Sequence, residues 1–371
     1  MGLGSRPDGT PKTIQDILNE EFDRDMKIDV VIGNPPYQEN NGGGRCGGKP
    51  LYQEFVKAAH ELGSHFVDMI IPAKWYISNK DTKEFTAWML NNNNIRELYD
   101  FSYVKDLFNI TMNSGVCFFL MDNTYQGKCK VLNCTLANGA VKILSETIRK
   151  LCTYEDIHGF KNTKTFIRDN IMLNVVEKVF DNKSRTFDTI CSNVSPFGIK
   201  TTTEMNAVRM SDTELEVVKS YGEYGYIERD WITKGTNWID SYKIIISTLN
   251  GEGLASAARN KSVSVITKPM ILKPKQVCTL TYLVVGALSK MEHAERVYKY
   301  IQTKFVRALI NQLISSAYIT NRAFAFVPLQ DFASNSDIDW SQDISDIDQQ
   351  LYKKYGLNQE EIDYIEETIK P

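Results

Sequence analysis

Four consecutive residues, Asn34-Pro35-Pro36-Tyr37, carry the groups of greatest chemical interest in this chain. The Asn34 side-chain oxygen and the Pro35 backbone carbonyl are two acceptors, and neither proline has an N–H to compete for them. Two acceptors can hold both N–H bonds of an amino group on a conjugated ring. That grip draws the nitrogen toward tetrahedral geometry and frees its lone pair for bond formation. Tyr37 adds a flat face on which the ring could stack. The chemistry expected is activation of a poorly nucleophilic ring amine.

Such a set works only if it is held rigidly. The residues before it, "KIDVVIG", place Ile28, Val30, Val31 and Ile32 in a short run that reads as a strand buried on both faces. Gly33 ends the run, and two prolines forbid both ladder pairing and helix continuation. The carboxyl tip of such a strand is where open α/β sheets place their ligands. Glycines 42–48 follow; they lack the spacing of a phosphate-binding loop and read as a loop that orders over a large ligand.

The remaining pattern supplies a scaffold. "PLYQEFVKAAHELG" reads as a helix between Pro50 and Gly63, with Leu51, Phe55, Ala58 and Leu62 on its inner face. "HFVDMIIPAKWYIS" gives a second buried strand, and Asp81 with Glu84 signals a helix through Leu90. "IRELYDF" and "SGVCFFLMD" are two more strands. Residues 28–122 thus alternate as half of a doubly wound, Rossmann-like sheet finished by an antiparallel pair. Beyond about 151 the texture becomes mixed α+β. The short strand-like runs there include "YKIIIS", "SVSVIT" and "LTYLVVG", and a long helix is predicted from Glu292 to Ile314. Residues 331–348 read as an acidic loop, followed by a terminal helix opened by Asn358 with Glu361 three residues on. The expected domains are a remnant or linker 1–27, a sheet domain 28–150, a second domain 151–330 and an acidic tail 331–371.

Bulk properties narrow the class. At 371 residues with 24% charged and 42% hydrophobic content, the chain is globular and of more than one domain. No apolar run reaches the ~20 residues of a membrane span, so no membrane partner is expected. Seven scattered cysteines form no Cys-x-x-Cys pair, which predicts reduced thiols in the cytoplasm; with only four histidines, no metal site is expected. The net charge is −3, but residues 331–371 alone carry −8, which leaves +5 on residues 1–330. The overall charge therefore does not exclude nucleic acid. Arg259, Lys261, Lys268, Lys273 and Lys275 cluster in sequence, with Lys200 and Lys243 elsewhere in the second domain. Together they are candidate phosphate contacts.

With these pieces in place, "DVVIGNPPYQ" resembles the catalytic motif of the N6-adenine DNA methyltransferases, in the Eco57I-like group of restriction-modification methylases. "GGGRCGGKPLYQEFVKAA", "MIIPAKWYIS", "GVCFFLMD", "WIDSYKIIIS", "VCTLTYLVVG" and "FAFVPLQDF" resemble further blocks of that group in the same order. The resemblance implies S-adenosylmethionine as methyl donor and double-stranded DNA as partner. It implies Asn34, Pro35, Pro36 and Tyr37 as the pocket for a flipped adenine, with Phe108 as a candidate for the opposite face of the base. It makes residues 151–330 a target-recognition domain.

One part of the family pattern is absent. The glycine-rich cofactor motif and its acidic ribose partner precede the Asn-Pro-Pro-Tyr strand in the family, yet only 28 residues stand before Asp29. The expectation is a chain that is inactive alone and works with an upstream segment or subunit bearing the cofactor site and a nuclease. Two other readings stay open: an enzymatically silent DNA-specificity module, and a protein-glutamine methyltransferase, whose amide nitrogen poses the same chemical problem.

Overall fold

The computed structural model describes residues 6–10, 12–22, 27–39, 48–108, 112, 114–152, 154–155, 164–181, 184–249, 264–314 and 318–370. They form two compact units, one of residues 1–155 with 162–170, the other of 156–161 with 171–371.

In the first unit, helix α1 (Ile14–Phe22) buries none of its residues. Strand β1 (Val30–Gly33) leads through helix α2 (Tyr52–Glu61) to β2 (Phe66–Pro72), and helix α3 (Lys83–Asn91) leads to β3 (Ile95–Phe101). A one-turn helix, α4 (Lys105–Phe108), precedes β4 (Val116–Asp122), and a hairpin of β5 (Cys129–Ala137) and β6 (Ala140–Arg149) completes one six-stranded sheet. Its order is β1-β2-β4-β3-β5-β6. β1 runs parallel to β2 and β3 parallel to β5. β4 is antiparallel to both its neighbours and lies between β2 and β3, inside the sheet, while β6, antiparallel to β5, forms an edge.

Alternation sorts the core. Val67, Met69 and Ile71 of β2, with Cys117, Phe119 and Met121 of β4, pack under Tyr52, Val56 and Ala59 of α2 and Phe85, Met89 and Leu90 of α3. The inner face of α2 is thus Tyr52, Val56 and Ala59, while Phe55 is 47% exposed. The expected Leu51–Phe55–Ala58 face is rotated, because the spacing that docks on β2 begins at the buried aromatic Tyr52. On the opposite sheet face a smaller cluster, Ile70, Phe101, Val104, Val116, Leu132 and Cys134, gathers near the carboxyl ends of β2 and β3.

The first strand departs from expectation. Val31 packs on the main core, but Val30 is 48% and Ile32 77% exposed. Among the described strands β1 pairs only with β2, and the Val30 and Ile32 side chains remain open to solvent, so burial on both faces fails.

Short strands β7 (Tyr154–Glu155) and β8 (Lys164–Thr165) pair with each other, and helix α5 (Asn170–Val179) carries the chain on. In the second unit β9 (Glu214–Val218), β10 (Tyr224–Glu228), β11 (Tyr242–Ser247), β12 (Met270–Leu272), β13 (Gln276–Cys278) and β14 (Tyr282–Leu288) form two three-stranded sheets, β10-β9-β13 and β12-β11-β14. They share a core of Leu215, Val217, Ile227, Ile245, Leu272, Val277 and Val284. The described part of "SVSVIT" is not strand; Val265 and Ile266 are buried in irregular chain.

The predicted long helix is two, α6 (Met291–Gln302) and α7 (Lys304–Asn311). Thr303 is non-helical, its hydroxyl accepting from the Val306 N–H and donating to the Tyr300 carbonyl. The Asp348 carboxylate, from a distant stretch, accepts from the N–H groups of Lys304 and Phe305 at 3.0 and 2.9 Å. Caps from Thr303 and Asp348 satisfy the start of a second helix, which periodicity alone does not reveal. Asp348 itself belongs to α8 (Ile344–Lys354), so the acidic stretch becomes helical earlier than expected. The last helix, α9 (Gln359–Thr368), opens with the predicted reciprocal cap between Asn358 and Glu361. Among the described residues no helix is long and apolar enough to cross a membrane.

Candidate active site

At the carboxyl tip of β1 the chain leaves the sheet at Gly33. Asn34 is exposed, Pro35 buried, Pro36 exposed and Tyr37 half-buried. The buried Pro35 ring anchors the turn and leaves the Asn34 amide facing solvent. Tyr37 packs on the cluster of Ile70, Phe101, Val104 and Val116, alongside Leu107 and Met112 from the segment between β3 and β4. Burial pushes its phenol above the ordinary tyrosine range, so it is neutral and suited to stacking.

The glycine-loop positions 42–47 lie outside the described residues, but the stem of the loop is defined. The Glu39 N–H donates to the Lys49 carbonyl at 3.0 Å, the Leu51 N–H donates to the Tyr37 carbonyl at 3.2 Å, and Gln38 bridges to Pro50. The loop therefore leaves and returns beside Tyr37.

Phe108 ends α4, its N–H bonded to the Val104 carbonyl at 3.0 Å, and its side chain is 36% exposed. Its neighbour Leu107 packs on the cluster that holds Tyr37. The first unit thus brings the Phe108 segment and the Asn34–Tyr37 turn to one end of the sheet.

Sequence reasoning missed a group next to them. Asp100, 3% exposed near the end of β3, accepts two hydrogen bonds from Arg168, at 3.0 Å from Nε and 2.8 Å from Nη2. The buried Tyr76 hydroxyl donates to the same carboxylate at 2.9 Å. Asp100 reads as an ordinary polar interruption of a strand, and Arg168 lies 68 residues away, so no local signal joins them.

The basic candidates divide. Lys200, Lys268, Lys273 and Lys275 are exposed in the second unit, with Lys273 and Lys275 on the turn joining β12 to β13. Arg259 and Lys261 lie outside the described residues. Lys243 is a correction: it is fully buried in β11, and its ammonium donates to the carbonyls of Ser241 at 2.7 Å, Lys273 at 3.2 Å and Ile239 at 3.4 Å. Burial lowers its pKa to about 8. A strand position pointing inward turned a presumed phosphate contact into a brace for the β12–β13 turn.

Residues 8–108, which contain this turn and its supporting strands, match the family model described as Eco57I restriction-modification methylase. Over this stretch the chain is similar to that family. Residues 109–371 lie outside the match. An adenine-specific methylase of Mycoplasma pneumoniae, described as uncharacterized, is 42% identical over 107 residues, which are 28% of this chain and 25% of the relative. The similarity thus spans a quarter of that curated methylase. Among solved structures, the DNA complex of the type IIL restriction-modification enzyme MmeI aligns with 91% of this chain and 56% of its own, at 8% identity and a TM-score of 0.49. The type IIG restriction endonuclease BpuSI aligns with 91% of this chain and 52% of its own, at 10% identity and a TM-score of 0.37.

Proposed function

We propose that the chain supplies the target-base pocket and DNA-recognition surface of an adenine-N6 DNA methyltransferase in a cytoplasmic restriction-modification system. The observation that carries this reading is the exposed Asn34 at the carboxyl tip of a family-matched strand, with Tyr37 fixed beside it. In this reading the adenine is flipped out of the duplex, which costs a few kcal/mol of stacking and pairing. Tyr37 returns part of that cost by stacking on the base. Asn34 Oδ1 and the Pro35 carbonyl accept the two amino N–H groups and direct the nitrogen lone pair outward. Residues of the second unit, Lys268, Lys273 and Lys275 among them, neutralise phosphates of double-stranded DNA.

S-adenosylmethionine supplies the transferred methyl group when bound. Asn34 and Pro35 fit only its reactive end. Beside the free edge of β1 no described strand stands to hold the adenosine, and the contact left is too small for useful affinity. We therefore assign cofactor binding to a further segment or subunit that covers the Val30–Ile32 face. The same open face favours a second reading, a DNA-specificity module that is silent by itself.

Methyl transfer from labelled S-adenosylmethionine to unmethylated genomic DNA tests both, with the chain alone and with a cofactor-binding methylase segment supplied. Label on adenine N6 only in the supplemented reaction, lost with Asn34→Ala while DNA binding persists, is the expected result. Asn34→Ala activity within ~10-fold of wild type, under 1.4 kcal/mol of transition-state stabilisation, would remove Asn34 from the mechanism. DNA binding without transfer under any condition would favour the silent module.

A further inference from the structure

Arg168 ties together three parts of the first unit that are far apart in sequence. Its own backbone is held: the Asn133 amide donates to its carbonyl at 2.9 Å, and Arg149 donates to the preceding Ile167 carbonyl at 2.6 Å. Two residues earlier the Phe166 N–H donates to the Tyr76 carbonyl at 2.9 Å. From this fixed base the guanidinium forks onto Asp100, lies 5.5 Å from the Tyr76 ring centroid, and donates through Nη1 to the Ser114 carbonyl at 2.9 Å. Gly115 follows, at φ +68°, and a Cβ there would collide with the Phe101 carbonyl and stand 2.9 Å from Arg168 Nη2. The Gly115 N–H in turn donates to the Met112 carbonyl at 3.2 Å, and Met112 packs on the cluster that holds Tyr37.

We infer that Arg168 is a positioning residue for the target-base site: through Ser114 and Gly115 it sets the β3–β4 segment against which Tyr37 rests. The inference depends on the reading of Asn34–Tyr37 as that site. A buried ion pair alone is weak evidence of any role beyond packing. The Ser114 bond goes further, because it directs one arm of the guanidinium onto the end of the segment that carries Leu107, Phe108 and Met112. Lysine offers no planar fork and cannot reach Asp100 bidentately and Ser114 together.

Arg168→Lys keeps the charge and removes the fork. In the supplemented methylase it is expected to lower the single-turnover transfer rate by at least ~10-fold, since small misplacements of positioning groups cost up to ~100-fold. DNA affinity and melting temperature should stay near wild type, with faster amide exchange at Leu107, Phe108 and Gly115. Gly115→Ala strains the same junction from the loop side and should lower the melting temperature through its backbone collision. At temperatures where it stays folded it should show the same rate loss and the same faster exchange, so the inference survives testing even where Arg168→Lys does not fold. Wild-type rate and exchange in either folded variant would overturn it, as would a rate loss that only tracks the unfolded fraction. Wild-type protein that never methylates DNA would instead overturn the base-pocket reading, and amide exchange would still decide whether Arg168 sets the segment.

Discussion

Gly48 runs so close to Glu39 that a methyl group on its Cα would collide with the Glu39 carbonyl oxygen. Only glycine lets the returning strand of the loop stem reach the Lys49–Glu39 hydrogen bond beside Tyr37. Gly48→Ala should cost about 1–3 kcal/mol, within the range of backbone collisions at tight approaches. Amide exchange should quicken at Glu39 and Leu51 and stay slow in β2 and β4. Unchanged exchange at Glu39 and Leu51 would mean that the stem tolerates the side chain.

Tyr37 acts through its ring in the proposed mechanism. Tyr37→Phe should hold methyl transfer within about threefold, while Tyr37→Ala should lose roughly 1–3 kcal/mol of base stacking. Equal losses in the two variants would shift the role from the ring to the hydroxyl.

Lys268, Lys273 and Lys275 are exposed together in the second unit, whereas Lys243 is buried. Each phosphate contact contributes ~0.9 to the slope of log affinity against log salt, so neutralising all three should flatten it by up to ~2.7. Lys243→Met should leave that slope alone. A triple variant with the wild-type slope would place the DNA surface elsewhere.

Lys243 also predicts a pH dependence. Its folded pKa, lowered by burial to about 8, lies below the 10.5 of a free lysine. Between those values the unfolded chain holds a proton that the folded chain has lost, so stability rises with pH in that window. Below pH 8 the cost of the buried charge is present in full. Chemical denaturation of wild type and Lys243→Met from pH 7 to 10.5 should show the difference shifting toward wild type above pH 8. A difference flat across that window would mean that Lys243 keeps its proton.

Several features were legible because they are local. The Asn358–Glu361 cap needs only residues three apart, and the structure forms it in both directions. The apolar alternation of "FVDMIIP" and "VCFFLMD" foretold two strands, and both sit inside the sheet. Two prolines after a glycine ended β1 where the sequence required.

What stayed hidden depends on a second surface. An apolar run says that Val30 and Ile32 suit burial, not that a neighbour arrives; β1 pairs on one side and leaves them open. Helical spacing continues across Thr303, and only the Asp348 carboxylate, brought from more than forty residues away, marks the new helix start.

The sequence alone therefore determined the chemical groups of the Asn34–Tyr37 turn and the strand that carries it, because both depend on backbone constraints within a few residues. Tertiary structure alone decided which charges work outside and which inside. Lys243 and Lys273 read alike in sequence, yet the pleat of β11 buries one among carbonyls while the β12–β13 turn leaves the other in solvent. The same holds for Arg168 and Asp100: a fork-to-carboxylate bond is short-ranged and directional, so it exists only once the sheet has brought residues 68 apart within 3 Å.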